Sequence, residues 1–224
     1  MTRKPKVAVV LSGCGVYDGS EIHEAVLTLL ALDRQGADYA CFAPDVPQHH
    51  VVNHLTGAET GETRNVLVES ARIARGKIAD LATFDAAAYD AIVFPGGFGA
   101  AKNLCGFAFE GPDCSVQPDV EAAVRAMHAA GKPIGALCIA PAVMARILGH
   151  VELTIGNDPG TVAALTKMGA THRQTGHGEV VVDRKAKLAT TPCYMLDSSI
   201  GQIATGADNV VRAVLDMARQ PATA

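Results

Sequence analysis

The 224-residue chain contains no tryptophan, and only 4% of its residues are aromatic. No segment has the uncharged apolar stretch of about 20 residues that a membrane span requires. The net charge is −4, and the 19 lysine and arginine residues are scattered rather than gathered into a basic patch for nucleic acid. These absences predict a protein that binds neither membranes nor nucleic acid and whose partner is a small molecule.

The cysteines show neither a disulfide framework nor a metal pattern. None of them forms a C-x-x-C pair or a Cys/His spacing of the zinc-finger kind, so we expect reduced thiols. The apolar run at 7–11 is too short for the core of a signal peptide, which predicts a cytoplasmic protein. The six cysteines are Cys14, Cys41, Cys105, Cys114, Cys138 and Cys193. Of these, Cys14, Cys41 and Cys193 follow or end strand-like runs and are predicted to be inert core residues, and Cys105 and Cys114 are predicted to lie in a loop.

Strand-like and helix-like segments alternate along the chain, which has an apolar fraction of 49% and a mean hydropathy of +0.19. This alternation predicts one domain over residues 1–224, built on a doubly wound, mostly parallel α/β sheet with helices on both faces. The C-terminal third is less regular, and two short strands at 179–183 and 187–191 are predicted to form the edge of the sheet. The last helix is predicted to pack one apolar face on that sheet, formed by Ile200, Ile203, Val210, Val214 and Met217. The predicted strands are 6–11, 37–44, 89–97 and 133–138, and the predicted helices are 21–36, 64–75, 120–132, 159–168 and about 197–217.

Cys138 lies where a short apolar strand meets a helical pattern, in KPIGALCIAPAVMARIL at 132–148. The unpaired N–H groups and positive end of a helix stabilise a thiolate, so this position predicts a nucleophilic cysteine with a lowered pKa. The residues of this segment leave a second interpretation open. A small apolar residue that closes a strand gives the same pattern.

Glycine-rich turns follow two of the predicted strands, at SGCGVYDGSE (12–21) and PGGFGAAKN (95–103). Ligands of open α/β sheets bind beyond the carboxyl ends of the strands. One hypothesis for the second turn is an oxyanion hole formed by the N–H groups of Gly97 and Ile139. A tight strand-to-helix connection is the alternative. The glycine spacing does not match a dinucleotide fingerprint, so we expect no cofactor.

Two carboxylates, Glu21 and Glu24, lie one helical turn apart at the start of the first predicted helix. Glu21 suits a capping role, and Asp18 with Glu21 is predicted to form a capping box. Glu24 is flanked by apolar residues and is predicted to be buried toward the sheet. A buried carboxylic acid stays neutral and can donate a hydrogen bond to a thiolate.

The histidines give weaker signals. His49, His50 and His54 share one loop, but no carboxylate or thiolate there completes a metal site, so we expect no metal. No histidine follows Cys138 to form a ready Cys-His pair. His23 and His177 reach the site only if the fold brings them there.

Several long motifs agree in order and spacing with one known family. They are SGCGVYDGSEIHEAVLTLL, FAPD, NHLTGAET, PGGFGAAKN, CIAPA and TPCYM, and together they extend over nearly the whole chain. The chain resembles the ThiJ/PfpI superfamily of class I glutamine amidotransferase-like proteins, and within it the ElbB glyoxalase-like branch. It departs from the protease and amidotransferase members, because it has Cys-Ile where they carry Cys-His.

The resemblance implies a flavodoxin-like fold, a homodimer and a cofactor-free glyoxalase of low activity, with a possible link to isoprenoid biosynthesis. It implies Cys138 as the nucleophile, Glu24 as its protonated partner, and the backbone of Gly97 and Ile139 as the oxyanion site. The expected substrate is a small aldehyde or dicarbonyl such as methylglyoxal or glyoxal, converted to lactate or glycolate. The candidate substrate pocket consists of Gly13, Glu21, Gly96 and Asn103.

Two other functions remain open at this stage. A reactive Cys138 is also typical of a redox sensor or regulatory binding protein, in which oxidation of the thiol alters a partner contact. A small-molecule binding protein with a vestigial site is the third interpretation. Repeated turnover of aldehyde separates the enzyme from both.

Overall fold

A seven-stranded sheet lies at the centre of the computed structural model, which describes residues 3–219. A separate two-stranded sheet is formed by the sixth and seventh strands. In the described residues the strands are β1 (Lys6–Val10), β2 (Asp38–Ala43), β3 (Ile78–Asp80), β4 (Ala91–Phe94), β5 (Ile134–Leu137), β6 (Glu152–Leu153), β7 (Thr171–His172), β8 (Val181–Asp183) and β9 (Leu188–Thr191).

The large sheet has the strand order β3-β2-β1-β4-β5-β9-β8, and β8 is its one antiparallel strand within residues 3–219. None of the helices in this range is long and apolar enough to cross a membrane. The helices are α1 (Ile22–Arg34), α2 (Val66–Ile73), α3 (Phe98–Lys102), α4 (Phe107–Glu110), α5 (Pro118–Ala129), α6 (Pro141–Leu148), α7 (Pro159–Lys167) and α8 (Ile200–Arg219).

Helices cover both faces of the sheet, which explains the continuous apolar runs of its central strands. β4 and β5 are buried along their full length, as parallel strands with two covered faces must be. On one face, α1 and α8 pack together through residues such as Leu32 and Val210. On the other, α5 and α6 contribute Val124 and Met144. The predicted fold class is confirmed.

The first helix begins at Ile22 because Glu21 caps it. The Glu21 side chain accepts a hydrogen bond from the Glu24 N–H at 2.7 Å, which satisfies one of the free donors of the first turn. The predicted capping box of Asp18 with Glu21 is wrong. The Asp18 carboxylate instead accepts from the Val52 N–H at 2.7 Å and so ties down the long loop at 44–63.

Three details differ from the sequence-based expectations. The short strand β3 was not predicted, because three residues carry too little periodicity. The loop at 104–118 contains the helix α4. Ile200 was expected on the buried face of the last helix, but it is 54% exposed because it is the first residue of α8, whereas Ile203 is fully buried.

The strand order places four chain segments at one end of the sheet. β1, β4, β5 and β9 are neighbours and run parallel, so the residues that follow each of them meet at the same edge. Those residues are the turn at 12–21, the glycines at 96–97, Cys138 and the turn at 193–195. This edge is where the candidate site lies.

Candidate active site

Cys138 occupies a sharp turn between β5 and α6. Its φ angle is +58°, in the left-handed region that non-glycine residues enter at a cost of about 1–3 kcal/mol. Its N–H donates to the Thr191 carbonyl of the adjacent strand at 2.9 Å, which holds the turn against β9. The residue is only 7% exposed, so its thiol is buried at this edge of the sheet rather than displayed on the surface.

Glu24 is the second chemical group of the site and is fully buried. One carboxylate oxygen, Oε2, accepts from the Gly96 N–H at 2.9 Å, and the other, Oε1, accepts from the Tyr194 N–H at 3.2 Å. The Cys138 thiol is a neighbour of this carboxyl, and each of the two groups shifts the pKa of the other. The predicted burial of Glu24 is confirmed.

Burial raises the pKa of Glu24 from 4.5 to about 8, and the nearby Glu21 carboxylate adds to this effect. The N–H groups of Tyr194 and Gly96 and the Cys138 thiol act in the opposite direction, because they stabilise the charged form. Near neutral pH Glu24 therefore carries its proton. The side chain is ready to exchange that proton in the pH range where most enzymes work.

Burial and the Glu24 carboxylate raise the pKa of the Cys138 thiol, although the N–H groups of Gly97 and Ile139 face the sulfur and lower it. The prediction that a helix terminus lowers this pKa is therefore wrong. The physical reason is that α6 begins only at Pro141, three residues later, while desolvation acts directly on the sulfur. Deprotonation of Cys138 thus depends on a base beside it.

Gly96 and Gly97 allow the backbone to approach this pair. A Cβ atom on Gly96 would lie 2.4 Å from the Cβ of Cys138 and 2.7 Å from Oε2 of Glu24, so only glycine fits between them. Gly97 has a φ of +97°, and a Cβ there would meet the Glu21 nitrogen at 2.3 Å. The structure thus brings together Cys138, Glu24, Glu21, the glycine pair and Ile139. The oxyanion role of the two N–H groups stays a prediction.

Gly13 and Asn103, the other candidate pocket residues, have contacts of a different kind. The Gly13 N–H donates to Ser70 Oγ at 2.8 Å. The Asn103 amide donates to the carbonyls of Ser12 at 2.8 Å and Asp18 at 2.9 Å, and its oxygen accepts from the His49 N–H at 3.0 Å. Both residues fasten the loop after β1 to its neighbours. A contact of either with substrate stays a prediction.

The histidine loop forms local contacts. Within residues 3–219 no group of three or more His, Cys, Asp or Glu side chains is placed to hold a metal ion. His54 Nε2 accepts from the Tyr17 N–H at 3.2 Å, and His49 stacks on Phe109 with ring centroids 4.1 Å apart. These contacts pack the loop against the turn after β1 and against α4.

Tyr194 and Cys193 belong to the site but were not predicted to do so. Cys193, which the sequence suggested to be an inert core residue, is a buried thiol whose pKa is raised by burial and by Glu24 and Cys138. Tyr194 supplies the N–H that holds Glu24 and bonds His23 through its hydroxyl. Both residues follow β9, and the residues that follow neighbouring parallel strands converge at one edge of the sheet. This rule could have assigned them to the site from the sequence. The strand at 187–191 was predicted, but at the edge of the sheet rather than next to β5, so the residues after it were not assigned to the site.

Curated relatives are similar over nearly the whole chain. The chain is 51% identical over 222 residues to a Homo sapiens protein named glutamine amidotransferase-like class 1 domain-containing protein 3, mitochondrial, with 95% of this chain and 83% of that protein covered. It is 49% identical to the Rattus norvegicus ES1 protein homolog, mitochondrial, with coverage of 96% and 84%. No family model matches the chain.

The relatives overturn one expectation from the sequence. A cytoplasmic location was predicted from the short N-terminal apolar run, yet these two proteins and the Danio rerio ES1 protein are all named mitochondrial. The prediction is contradicted. The prediction relied on the length of an apolar core, which identifies secretory signal peptides only. Mitochondrial targeting segments are instead amphipathic and rich in arginine.

Solved structures share the fold. An isoprenoid biosynthesis protein with an amidotransferase-like domain from Ehrlichia chaffeensis superposes with a TM-score of 0.88 at 38% identity, covering 94% of this chain and 99% of that one. Glyoxalase III from Candida albicans superposes with a TM-score of 0.60 at 14% identity, covering 95% and 97%, which shows the fold alone. The chain belongs to the ES1 and glutamine amidotransferase-like class 1 family.

Proposed function

We propose that this protein is a cofactor-independent, glutathione-independent glyoxalase-like enzyme that converts small dicarbonyls to hydroxy acids. One observation carries the proposal. A buried thiol and a buried carboxyl are paired, and two backbone N–H groups, from Gly97 and Ile139, face the sulfur. This is a nucleophile, an acid–base group and a site for an oxyanion in one place.

In the first step, the sulfur of Cys138 bonds to the aldehyde carbon of methylglyoxal, and the ionised form of Glu24 takes the thiol proton. The carbonyl π electrons move to oxygen, and the oxyanion rests on the N–H groups of Gly97 and Ile139. Glu24 then returns the proton to that oxygen. The product is a neutral hemithioacetal, and the carboxylate is ready again.

In the second step, Glu24 removes the proton from the former aldehyde carbon and passes it to the neighbouring ketone oxygen, which gives a neutral enediol. Glu24 then takes the proton of the hydroxyl on the sulfur-bearing carbon and delivers it to the adjacent carbon, so that the C–OH group becomes the thioester carbonyl. The result is a lactoyl thioester of Cys138. Water then adds to the thioester carbonyl, the C–S bond breaks and the thiol is regenerated as lactate leaves. The overall reaction adds one water to methylglyoxal. Glyoxal gives glycolate in the same way.

The surroundings of the sulfur favour a small neutral substrate. Cys138 is only 7% exposed, which suits a two- or three-carbon aldehyde better than a peptide. The groups that shift its pKa are Glu24 and backbone N–H groups, with no arginine or lysine among them. A site with a buried acid and no cation disfavours a substrate carboxylate. The absence of histidine after Cys138 likewise argues against amidotransferase chemistry.

The same observations disfavour the redox-sensor alternative. Sensor cysteines are typically exposed and have a low pKa, because the thiolate is the species that peroxide oxidises. Burial and Glu24 raise the pKa of Cys138 instead. A connection with isoprenoid biosynthesis is part of our proposal, because the Ehrlichia relative is named for that process.

The test is consumption of methylglyoxal and glyoxal without glutathione, with lactate and glycolate quantified. We expect repeated turnover by the wild type and none by Cys138→Ser, since a serine hydroxyl is a far weaker nucleophile. Cys41→Ser is the matched control, because Cys41 is a buried thiol in β2 outside the site. A wild type that loses one thiol equivalent but forms no hydroxy acid would refute the proposal.

Substitution of the acid–base group gives a second test. Glu24→Gln is expected to keep the fold and to lower turnover by a factor of about 100 or more, because the proton transfers lose their carrier. Alkylation of Cys138 by iodoacetamide should rise with pH to a midpoint near 8 in the wild type, as Glu24 ionises and accepts the thiol proton. That midpoint should be absent from Glu24→Gln. Undiminished turnover would remove Glu24 from the mechanism.

A further inference from the structure

One hydrogen bond beside the site joins α1 to the turn after β9. His23 Nδ1 lies 2.8 Å from the Tyr194 hydroxyl, and the two ring centroids are 5.9 Å apart with a tilt of 47°. His23 stands in the first turn of α1, and Tyr194 stands in the short turn Cys193–Met195 after β9. The two residues are 171 positions apart in the chain. The contact therefore exists only because α1 and the end of β9 meet here.

The turn that carries Tyr194 also holds Glu24. Its Tyr194 N–H donates to Oε1 of Glu24, the oxygen that Gly96 does not bind. Cys193, the first residue of this turn, has a φ of +44°. A non-glycine residue in the left-handed region costs free energy, so the turn keeps its shape only with outside support. Ser198 Oγ supplies one such contact, as it donates to the Cys193 carbonyl at 3.1 Å.

The phenol of Tyr194 lies beside the acidic groups of the site. Burial raises its pKa, and the charges of Glu21 and Glu24 raise it further. His23 Nδ1 lies 3.9 Å from Oε1 of Glu21, the residue that caps α1. The side chain of His23 is half-exposed, whereas Glu24 is fully buried. The His23–Tyr194 pair thus stands between the solvent and the buried carboxyl.

We propose that His23 and Tyr194 are positioning residues, whose hydrogen bond fixes the turn at 193–195 and so aims its backbone N–H at Glu24. The pair acts through the backbone and holds the acid–base group at Cys138. This inference rests on the proposed function of that site.

The proposal predicts a particular pH signature. The groups that face Glu24 are Glu21 from its own helix, the Gly96 N–H after β4, Cys138 after β5, and Cys193 with Tyr194 after β9. Of these, the Tyr194 N–H stabilises the Glu24 carboxylate and lowers its pKa. If the turn loosens, that bond weakens, and the pKa of Glu24 rises above about 8.

The experiment compares Tyr194→Phe, His23→Ala and the double variant by two readouts. The first is the pH midpoint of Cys138 alkylation by iodoacetamide, followed by mass spectrometry of the Cys138 peptide. The second is methylglyoxal turnover. We expect each single variant to shift the midpoint upward by about one pH unit and to lower kcat about tenfold while KM changes less than twofold. The double variant should be no worse than the worse single variant.

Two further variants sharpen the result. His23→Gln should partly restore the wild-type midpoint, because an amide can still bond the phenol. Tyr39→Phe is the control, since Tyr39 is a half-exposed tyrosine near the start of β2, at the opposite end of the sheet. Additive effects in the double variant, or a wild-type midpoint in Tyr194→Phe, would overturn the proposal. If the wild type turns over no aldehyde, the proposed function fails, and the alkylation midpoints alone decide the role of the pair.

Discussion

At the scale of single residues, the site depends on how burial sets proton affinities. Glu24 and Cys138 are both buried, and burial favours the protonated form of each group. Their protonation states are therefore coupled, and the thiol ionises by passing its proton to the Glu24 carboxylate. The two N–H groups that face the sulfur offset only part of this cost. Under the proposed function, the aldehyde carbon of a substrate bonds to the sulfur while ionised Glu24 takes the thiol proton.

Gly96→Ala tests the close approach at this point. The added Cβ would collide with the Cβ of Cys138 and with Oε2 of Glu24, and the Leu137 carbonyl at 2.8 Å blocks relief on the third side. We expect loss of turnover and a decrease of about 1–3 kcal/mol in the free energy of unfolding, measured in urea. Gly61→Ala, where no atom lies within 4 Å of the new Cβ, should change stability by less than about 0.5 kcal/mol. Equal behaviour of the two variants would contradict the packing argument.

At the scale of elements, the site is assembled by connections rather than by any one helix. α3 is a short helix that starts at Phe98, after its N-cap Gly97, and its C-cap residue Asn103 ties it to the loop after β1. α1 is tied to the turn after β9 by two bonds, Glu24 to Tyr194 and His23 to Tyr194. These hydrogen bonds hold together the segments that follow the neighbouring strands. The chemistry therefore depends on loops that the sheet supports.

Asn103→Ala separates a structural role from a substrate contact. Three hydrogen bonds to backbone groups are lost, and two of them are buried, so we expect a decrease of about 2–4 kcal/mol in the free energy of unfolding. The KM for methylglyoxal should stay within about twofold of the wild type. Asn53→Ala, in an exposed loop, serves as the control. A raised KM with unchanged stability would place Asn103 in the substrate pocket.

At the scale of the whole molecule, the buried carboxyl links stability to pH. The folded chain holds the Glu24 proton up to about pH 8, whereas the ordinary pKa of a glutamate, which applies in the unfolded chain, is 4.5. Because the folded state binds this proton more tightly, its stabilisation is fully present below the unfolded pKa and is lost as pH rises through the folded pKa. The contribution of Glu24 to the free energy of unfolding is therefore expected to be largest at the acidic end of the pH range between its unfolded and folded pKa values.

Urea unfolding at about pH 5, 7 and 9 measures this linkage. We expect the free energy of unfolding of the wild type to fall by a few kcal/mol over this range as the buried Glu24 loses its favoured proton. In Glu24→Gln that part of the fall should vanish, because the amide does not titrate. Glu62→Gln, at an exposed site, should retain it. A wild type equally stable at all three values would argue against a buried neutral Glu24.

The homodimer stays a prediction, and α1 offers a surface for it. Ile22, Val26 and Leu30 recur every four residues and form an exposed apolar stripe on this helix. Sedimentation of the wild type should show a dimer, and Val26→Asp should shift it to a monomer because the contact would bury a charge. Leu55→Asp, at a fully exposed loop position, should stay dimeric. A monomeric wild type would contradict the prediction.

The amino-acid sequence by itself determined the alternation of the main strands and helices, though not β3 or α4, together with the buried central strands and the place of Cys138 at a strand end. These follow from apolar periodicity, cap residues and glycine turns, which are local properties of the chain. The motifs likewise identified the family, and Glu24 could be expected to be buried because its neighbours on the helix are apolar.

Only the tertiary structure decided the chemistry of the pair and its surroundings. The Glu24–Tyr194 bond joins residues 170 positions apart, and no local pattern predicts such a contact. The pKa of Cys138 also moved in the direction opposite to the one expected, because desolvation and a neighbouring carboxylate outweigh the backbone N–H groups. Proton affinities depend on what surrounds a group in space, and spatial neighbours exist only once the chain has folded.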